Sequence, residues 1–246
     1  MISKSDIKYI QSLAHKKFRD EERLFIVEGV KMVEELISSA SDNIDRVFAT
    51  KNWVQRQLPN SVANELTVVI EEHELAKISQ HKTPNEVLAL VKFPKFQNEY
   101  KTDNSITLVL DQIQDPGNLG TIIRTCDWFG INQIVCSLDT VDNYNPKVIQ
   151  SAMGSILHVE VIYSSLPKFL STVQDIPIYA AVLNGKSIHD IAVVKPSLVV
   201  LGNESNGISK EVLAFATEKI TIPKLGQAES LNAAIASGII ISALLK

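Results

Sequence analysis

Asp115–Gly130 reads DPGNLGTIIRTCDWFG, and its passage from turn to helix sets the class of fold. Asp115-Pro116-Gly117 is turn chemistry, and Asn118 stands where it can cap the helix that follows. Leu119, Ile122, Ile123, Cys126 and Phe129 recur at helical spacing, so one face is built for burial. The apolar runs ITLVLDQ (Ile106–Gln112) before it and QIVCS (Gln133–Ser137) after it read as strands. Strand, turn, helix and strand in that order form a unit of a parallel α/β sheet. Arg124 projects from the opposite face, near Thr121 and Trp128. It is either a solvated cation with its stem on Trp128 or a group that meets a substrate.

Working outward, the same alternation continues to the C-terminus. The strands HVEVIY, PIYAAVL, SLVVLGNE and KITIP alternate with helices near Asn145–Met153, Leu166–Val173, Ser209–Ala216 and Leu231–Leu245. Strands apolar nearly throughout, separated by helices, imply a mostly parallel sheet covered on both faces. Toward the N-terminus the pattern is a smaller α/β alternation. A helix over Ser3–Arg23 is followed by the strand LFIVEG, the helix VKMVEELISS and the strand IDRVFAT. Then come the helix NWVQRQL, the strand LTVVIEE, the helix HELAKISQ and the strand VLALVKF. The polar, aperiodic segment Pro94–Ser105 reads as a linker. The expected domains are therefore 1–95 and 106–246, joined through 96–105.

Composition narrows the function classes. With 246 residues, 45% hydrophobic and 21% charged, the chain is an ordinary globular protein with ample core material. No apolar run reaches the roughly 20 residues a membrane span needs, and the N-terminus has no apolar signal core, so a cytoplasmic setting is expected. Cys126 and Cys136 offer neither a disulfide framework nor metal-ligand spacing, so no metal is expected. The net charge of −4 argues against a protein coated in nucleic acid. The first 19 residues nevertheless carry Lys4, Lys8, Lys16, Lys17 and Arg19 against Asp6 alone. Lys16, Lys17 and Arg19 are the candidate RNA phosphate contacts, although many solvated helices look the same. Neither half has a G-x-G-x-x-G after its first strand, and no P-loop is present, which disfavours a Rossmann site.

Two further stretches lie at strand ends, where open α/β sheets bind ligands. In LVVLGNESNGIS (Leu198–Ser209) a buried strand ends at Gly202 and Glu204 enters a turn closed by Gly207. Glu204 can be an anion beside a helix N-terminus or part of a site. In ITIPKLGQAESLNAAIASGIIISALL (Ile220–Leu245) a loop of small polar residues precedes an almost wholly apolar helix, with Ser230 or Asn232 as its cap.

NLGTIIRTCDWFG, LGNESNGIS and IPKLGQAESLNAAIA together resemble the three ordered motifs of the SpoU/TrmH family of RNA ribose 2′-O-methyltransferases. LAHKKFRDEERLFIVEG resembles the substrate-binding domain that precedes the catalytic domain in many members, itself similar to a small RNA-binding ribosomal protein. The resemblance implies a trefoil knot in the C-terminal domain, S-adenosyl-L-methionine as cofactor, and a homodimer through that domain. It implies cofactor contacts from Leu201, Gly202, Ile222, Leu231 and Ser230, and a catalytic set of Asn118, Arg124, Glu204 and Asn232. In that set Arg124 activates or clamps the substrate, Asn118 and Asn232 orient the ribose or Arg124, and Glu204 fixes the loop and Arg124. Gly202→Val is expected to abolish cofactor binding with the fold intact. The chain departs from the family pattern at Ser205, Gln150 and Ala233-Ala234, which bears on substrate choice. Ribosomal RNA is the expected substrate, because the family's small transfer-RNA members lack the N-terminal domain. Transfer RNA, or a non-catalytic role in RNA binding or ribosome assembly, are the alternatives.

Overall fold

The computed structural model describes residues 2–56, 65–97, 99–101, 106–173, 175–192 and 194–245. Two compact units emerge, one of Met1–Lys95 with Tyr144–Leu157, the other of Phe96–Asn143 with His158–Lys246.

The first unit begins with α1 (Lys4–Ser12) and α2 (Lys16–Glu22). Where periodicity predicts one helix, the chain breaks at Leu13–His15. Arg19 stabilises the break. Its guanidinium donates to the carbonyls of Leu13 (2.9 Å) and Ala14 (2.8 Å), which a helix end leaves without partners. Arg19 is 3% exposed. The expectation that it touches RNA is therefore corrected: a buried side chain bound to its own backbone is a structural residue. Lys16 and Lys17 remain exposed.

The unit continues as β1 (Leu24–Glu28), α3 (Val30–Ser39), β2 (Ile44–Ala49), α4 (Lys51–Arg56), β3 (Thr67–Val69), α5 (Glu72–Ile78) and β4 (Val87–Lys92). The last residues of the expected helix NWVQRQL lie outside the described residues. The sheet order is β1-β4-β2-β3, with β4 antiparallel to both neighbours and β2 parallel to β3. Ile10, Leu13, Ile26, Phe48, Leu75 and Leu90 share its core, and the Trp53 ring on α4 is wholly buried.

The second unit contains β5 (Ile106–Leu110), α6 (Pro116–Trp128) and β6 (Gln133–Ser137). The chain then contributes α7 (Pro146–Ala152) to the first unit, where the Tyr144 ring stacks on Phe25 (4.9 Å) and Phe93 (3.9 Å). It returns as β7 (Glu160–Ser164), α8 (Leu166–Thr172), β8 (Ile178–Ser187), β9 (Ser197–Leu201), α9 (Lys210–Leu213), β10 (Glu218–Thr221) and α10 (Ala233–Leu244). The six-stranded sheet has the order β10-β8-β9-β5-β6-β7, and every pairing is parallel. Every residue of the inner strands β5 and β9 is buried, as a sheet covered on both faces requires.

Of the expected linker, Asn98 and residues 102–105 lie outside the described residues. Its described end is not loose. The Gln133 amide accepts from the Lys101 N–H and donates to the Glu99 carbonyl, both at 3.1 Å, and the Tyr100 ring meets the edge of Phe169. Among the described residues, no helix is long and apolar enough to cross a membrane.

Candidate active site at the carboxyl ends of the parallel strands

Because all six strands run the same way, β5, β9 and β10 deliver their following loops to one edge of the sheet. Beyond β5, the Asp111 N–H donates to the Leu201 carbonyl at 2.8 Å and continues the pairing with β9. Gln112 then takes φ +61°, a left-handed conformation rare for a residue with a Cβ. Its N–H is held by Ser137 Oγ (2.9 Å), and its carbonyl accepts from Asn203 Nδ2 (2.9 Å).

The helix cap is not the one the sequence suggests. Asp115 caps α6 by accepting from the Asn118 N–H at 2.8 Å, with Pro116 at the first helical position. This frees the Asn118 side chain for long-range contacts. Asn118 Nδ2 donates to Glu204 Oε1, and Asn118 Oδ1 accepts from Asn232 Nδ2 at 2.8 Å. Asn232 Oδ1 in turn caps α10, accepting from the Ala234 (3.0 Å) and Ile235 (3.2 Å) N–H groups. Three sequence motifs are thus joined by one relay of side-chain hydrogen bonds. An ionised carboxylate can only accept and helix N–H groups can only donate, so both amide orientations are fixed. Every donor points toward Glu204.

The loop carrying Glu204 is closed on itself. Asn203 Oδ1 accepts from Ser205 N–H (2.9 Å) and Asn206 N–H (3.1 Å), and Asn203 pairs through its backbone with Gly207. Gly207 has φ +69°, and a Cβ placed on Gly202 would lie 2.2 Å from the Gly207 carbonyl carbon. Gly202 is therefore required by the loop's own close packing. Buried Asp111 pins the far end by accepting from Ser209 N–H at 2.7 Å.

Beside this loop is a cavity of about 960 Å³ lined by Leu201, Gly202, Glu204, Ile222, Ser230 and Leu231, among others. All five residues expected to hold the cofactor therefore share one cavity. Sequence reading missed Ala181–Asn184, which also line it. The pairing of β8 with β10 jumps from Ala180–Lys219 to Lys186–Ile220, so five residues of β8 leave the ladder and four of them, Ala181–Asn184, form a wall. Asn184-Gly185, directly after the expected strand PIYAAVL, was the available signal. The backbone of β10 passes so close to Gly185 that a Cβ there would lie 2.7 Å from Lys219 and Ile220.

Three leucines of the cavity are open to solvent: Leu183 (68%), Leu225 (100%) and Leu231 (46%). Apolar walls, open strand ends and the carboxylates of Glu204 and Glu229 in a volume of this size suit a nucleoside-sized ligand. Arg124 lies on the exposed face of α6, with no hydrogen bond or ion pair among the described residues. Glu204 holds Asn118 instead of Arg124. Cys126 and Cys136 are fully buried, and burial pushes both thiols up, so neither serves as a nucleophile. Among the described residues, no group of three His, Cys, Asp or Glu is placed to hold a metal ion.

Comparison with known proteins finds relatives of the same fold along nearly the whole chain. The SpoU rRNA Methylase family model matches residues 105–242, and that of an MRM3-like substrate binding domain matches residues 4–89. The 23S rRNA (guanosine(2553)-2′-O)-methyltransferase RlmP of Bacillus subtilis is 29% identical, over 96% of this chain and 94% of its own. A solved putative RNA methyltransferase of the TrmH family from Porphyromonas gingivalis is 34% identical with a TM-score of 0.85, covering 99% of this chain and 98% of its own. An AdoMet-bound rRNA methyltransferase from Sinorhizobium meliloti is 28% identical with a TM-score of 0.84, covering 99% and 96%.

Proposed function

The chain belongs to the SpoU rRNA methylase family, and on that premise we propose that it transfers the methyl group of S-adenosylmethionine to a ribose 2′-hydroxyl of ribosomal RNA. The observation that carries this is the Asn232–Asn118–Glu204 relay beside the cavity. It ties the helix of Arg124 to the two loops that would hold the cofactor.

Leu201, Gly202, Ile222, Ser230 and Leu231 would hold S-adenosylmethionine, which when bound supplies an electrophilic sulfonium methyl carbon. The residues of the chain then have to place and activate a ribose. A guanidinium is a planar fork of donors that proteins do not deprotonate, so Arg124 serves as a clamp on the substrate phosphate. Asn118 and Asn232 keep the facing loops in register, Glu204 accepting from the Asn118 amide and Asn118 from that of Asn232. Holding the reacting groups in line can lower the barrier by several kcal/mol.

The first unit would supply the RNA-binding surface, which favours ribosomal over transfer RNA. We also read the second unit as a trefoil knot. β10 lies at the sheet edge, whereas α10 packs on α6, the helix after β5 three places in. A crossing beside the 202–209 loop would account for that path. The proposed assembly is a homodimer through this unit. Trp128 (85% exposed), Ile235 (55%) and Ile239 (38%) stand in solvent on the paired helices α6 and α10. Such an exposed apolar group marks an interface. Trp128→Glu is expected to give monomers by light scattering at micromolar concentration, and a parent protein already monomeric there would sink the dimer.

Two measurements test the reaction itself. Calorimetry should show S-adenosylmethionine binding once per chain, unaffected by chelator. Mapping ribose methylation in cells with and without the gene should reveal one or more 2′-O-methyl groups of ribosomal RNA that vanish with it. Loss confined to transfer RNA would overturn the assignment of substrate, and no change in any RNA would overturn the activity.

A further inference from the structure

The helix pair at the N-terminus has a feature that charge alone does not explain. With Arg19 buried, the exposed surface at the start of α2 is His15, Lys16, Lys17 and Phe18, while its second turn exposes Asp20, Glu21 and Glu22. Phe18 is 38% exposed although it belongs to the residue types most often buried. The His15 ring meets it edge-on, with centroids 6.4 Å apart at 64°. The Lys17 ammonium stands 5.8 Å from the centre of the Phe18 ring. One turn further along the same helix face, Glu22 accepts from the Tyr9 hydroxyl of α1 at 3.0 Å, and Tyr9 is itself 37% exposed. Burial, followed by the bond to Glu22, pushes the Tyr9 hydroxyl up to about 12, so it stays a donor and keeps the two helices tied.

We propose that His15, Phe18 and Tyr9 form a stacking ridge for unpaired bases of the RNA, with Lys16 and Lys17 holding the flanking phosphates. The proposal rests on the reading of the protein as an RNA methyltransferase and adds the form of RNA its first unit takes. Exposed rings beside ammonium groups are the combination that binds single strands, because every base has a face that can stack and every linkage a charge. Paired bases cannot reach such a ridge, since their faces are covered within the duplex. The carboxylates on α2 do not cancel the cations. Lys16–Asp20 and Lys17–Glu21 are solvent-exposed pairs one turn apart, weak enough for a phosphate to displace. Lys4, Lys8, Lys16 and Lys17 are all exposed on the two helices, so a phosphate chain that displaces the weak pairs on α2 meets four cations there.

The test uses the full chain with two probes, an oligouridine that cannot pair and a blunt RNA duplex of the same length, across a salt series. The parent should prefer oligouridine. Phe18→Ala should lower that affinity on the order of tenfold and leave the slope against salt unchanged. Phe18→Tyr should restore it and Phe18→Leu should not. Lys17→Ala should reduce the salt slope by about one contact, a change of roughly 0.7 for a single strand. Because Phe18 is exposed, thermal unfolding of each variant should match the parent. The inference is overturned if the parent binds both probes alike. It is also overturned if Phe18→Ala binds oligouridine within twofold of the parent, or if Phe18→Leu restores binding as well as Phe18→Tyr. Methylation mapping fails separately: RNA stacking can hold in a protein that methylates nothing, and an active methylase can lack the ridge.

Discussion

Arg124→Ala protein is expected to lose methyl transfer by about 10²-fold or more while binding S-adenosylmethionine as tightly as the parent. The separation follows from where the side chain sits. Arg124 is on the exposed face of α6 and does not line the cavity, whose walls come from the loops after β9 and β10 and from the displaced part of β8. Its removal breaks no hydrogen bond or ion pair among the described residues. Stability should therefore stay within about 0.5 kcal/mol of the parent, as for other surface substitutions. Arg124→Lys should fail as well, because a point charge cannot reproduce a two-pronged grip on a phosphate. Single-turnover transfer at saturating RNA, with cofactor affinity from calorimetry, separates the two roles. Parental transfer rates in Arg124→Ala would remove Arg124 from the site.

Gly202→Ala should be as damaging, for a different reason. A methyl group there would come within 2.2–2.4 Å of the Gly207 and Ile208 backbone, and neither can yield without opening the turn that carries Glu204. The expected result is loss of cofactor affinity by about 10²-fold or more together with loss of transfer. A lowered melting temperature should accompany it, because the Asn203–Gly207 pairing and the bonds to Asn118 and Asp111 depend on the same loop. This revises the expectation that a larger residue at Gly202 would spare the fold. The first obstacle is the loop's own backbone. Gly202→Ala protein with parental cofactor affinity would show that the loop tolerates opening.

The class of fold was legible because both units alternate apolar strands with amphipathic helices, and nearly every element lies within a few residues of its expected place. Of the site, Leu201, Gly202, Ile222, Ser230 and Leu231 could be named only through the resemblance of their motifs to the SpoU/TrmH family, and strand ends and turn chemistry alone showed where a ligand loop could lie. The details that escaped depend on partners distant in sequence. Asn118 looked like a cap, but Asp115 takes that role, and Asn118 reaches residues 86 and 114 positions away. Arg19 looked like its lysine neighbours, yet the carbonyls it satisfies exist only once α1 has ended. The wall at Ala181–Asn184 was hidden because its composition is that of a continuous strand. Tyr144–Leu157 reads as part of the second alternation, and only the rings of Phe25 and Phe93 reveal that it packs with the first.

The chain has two tryptophans, and their placement gives it one optical reporter per unit. The indole of Trp53 is sealed in the first unit and should emit to the blue, shifting red only when that unit unfolds. Trp128, 85% exposed on α6, should emit to the red and be quenched by iodide for as long as its face is bare. Protection of that signal with rising protein concentration would follow the covering of α6 directly. Trp128→Phe would leave Trp53 alone to follow unfolding of the first unit, with no dye attached.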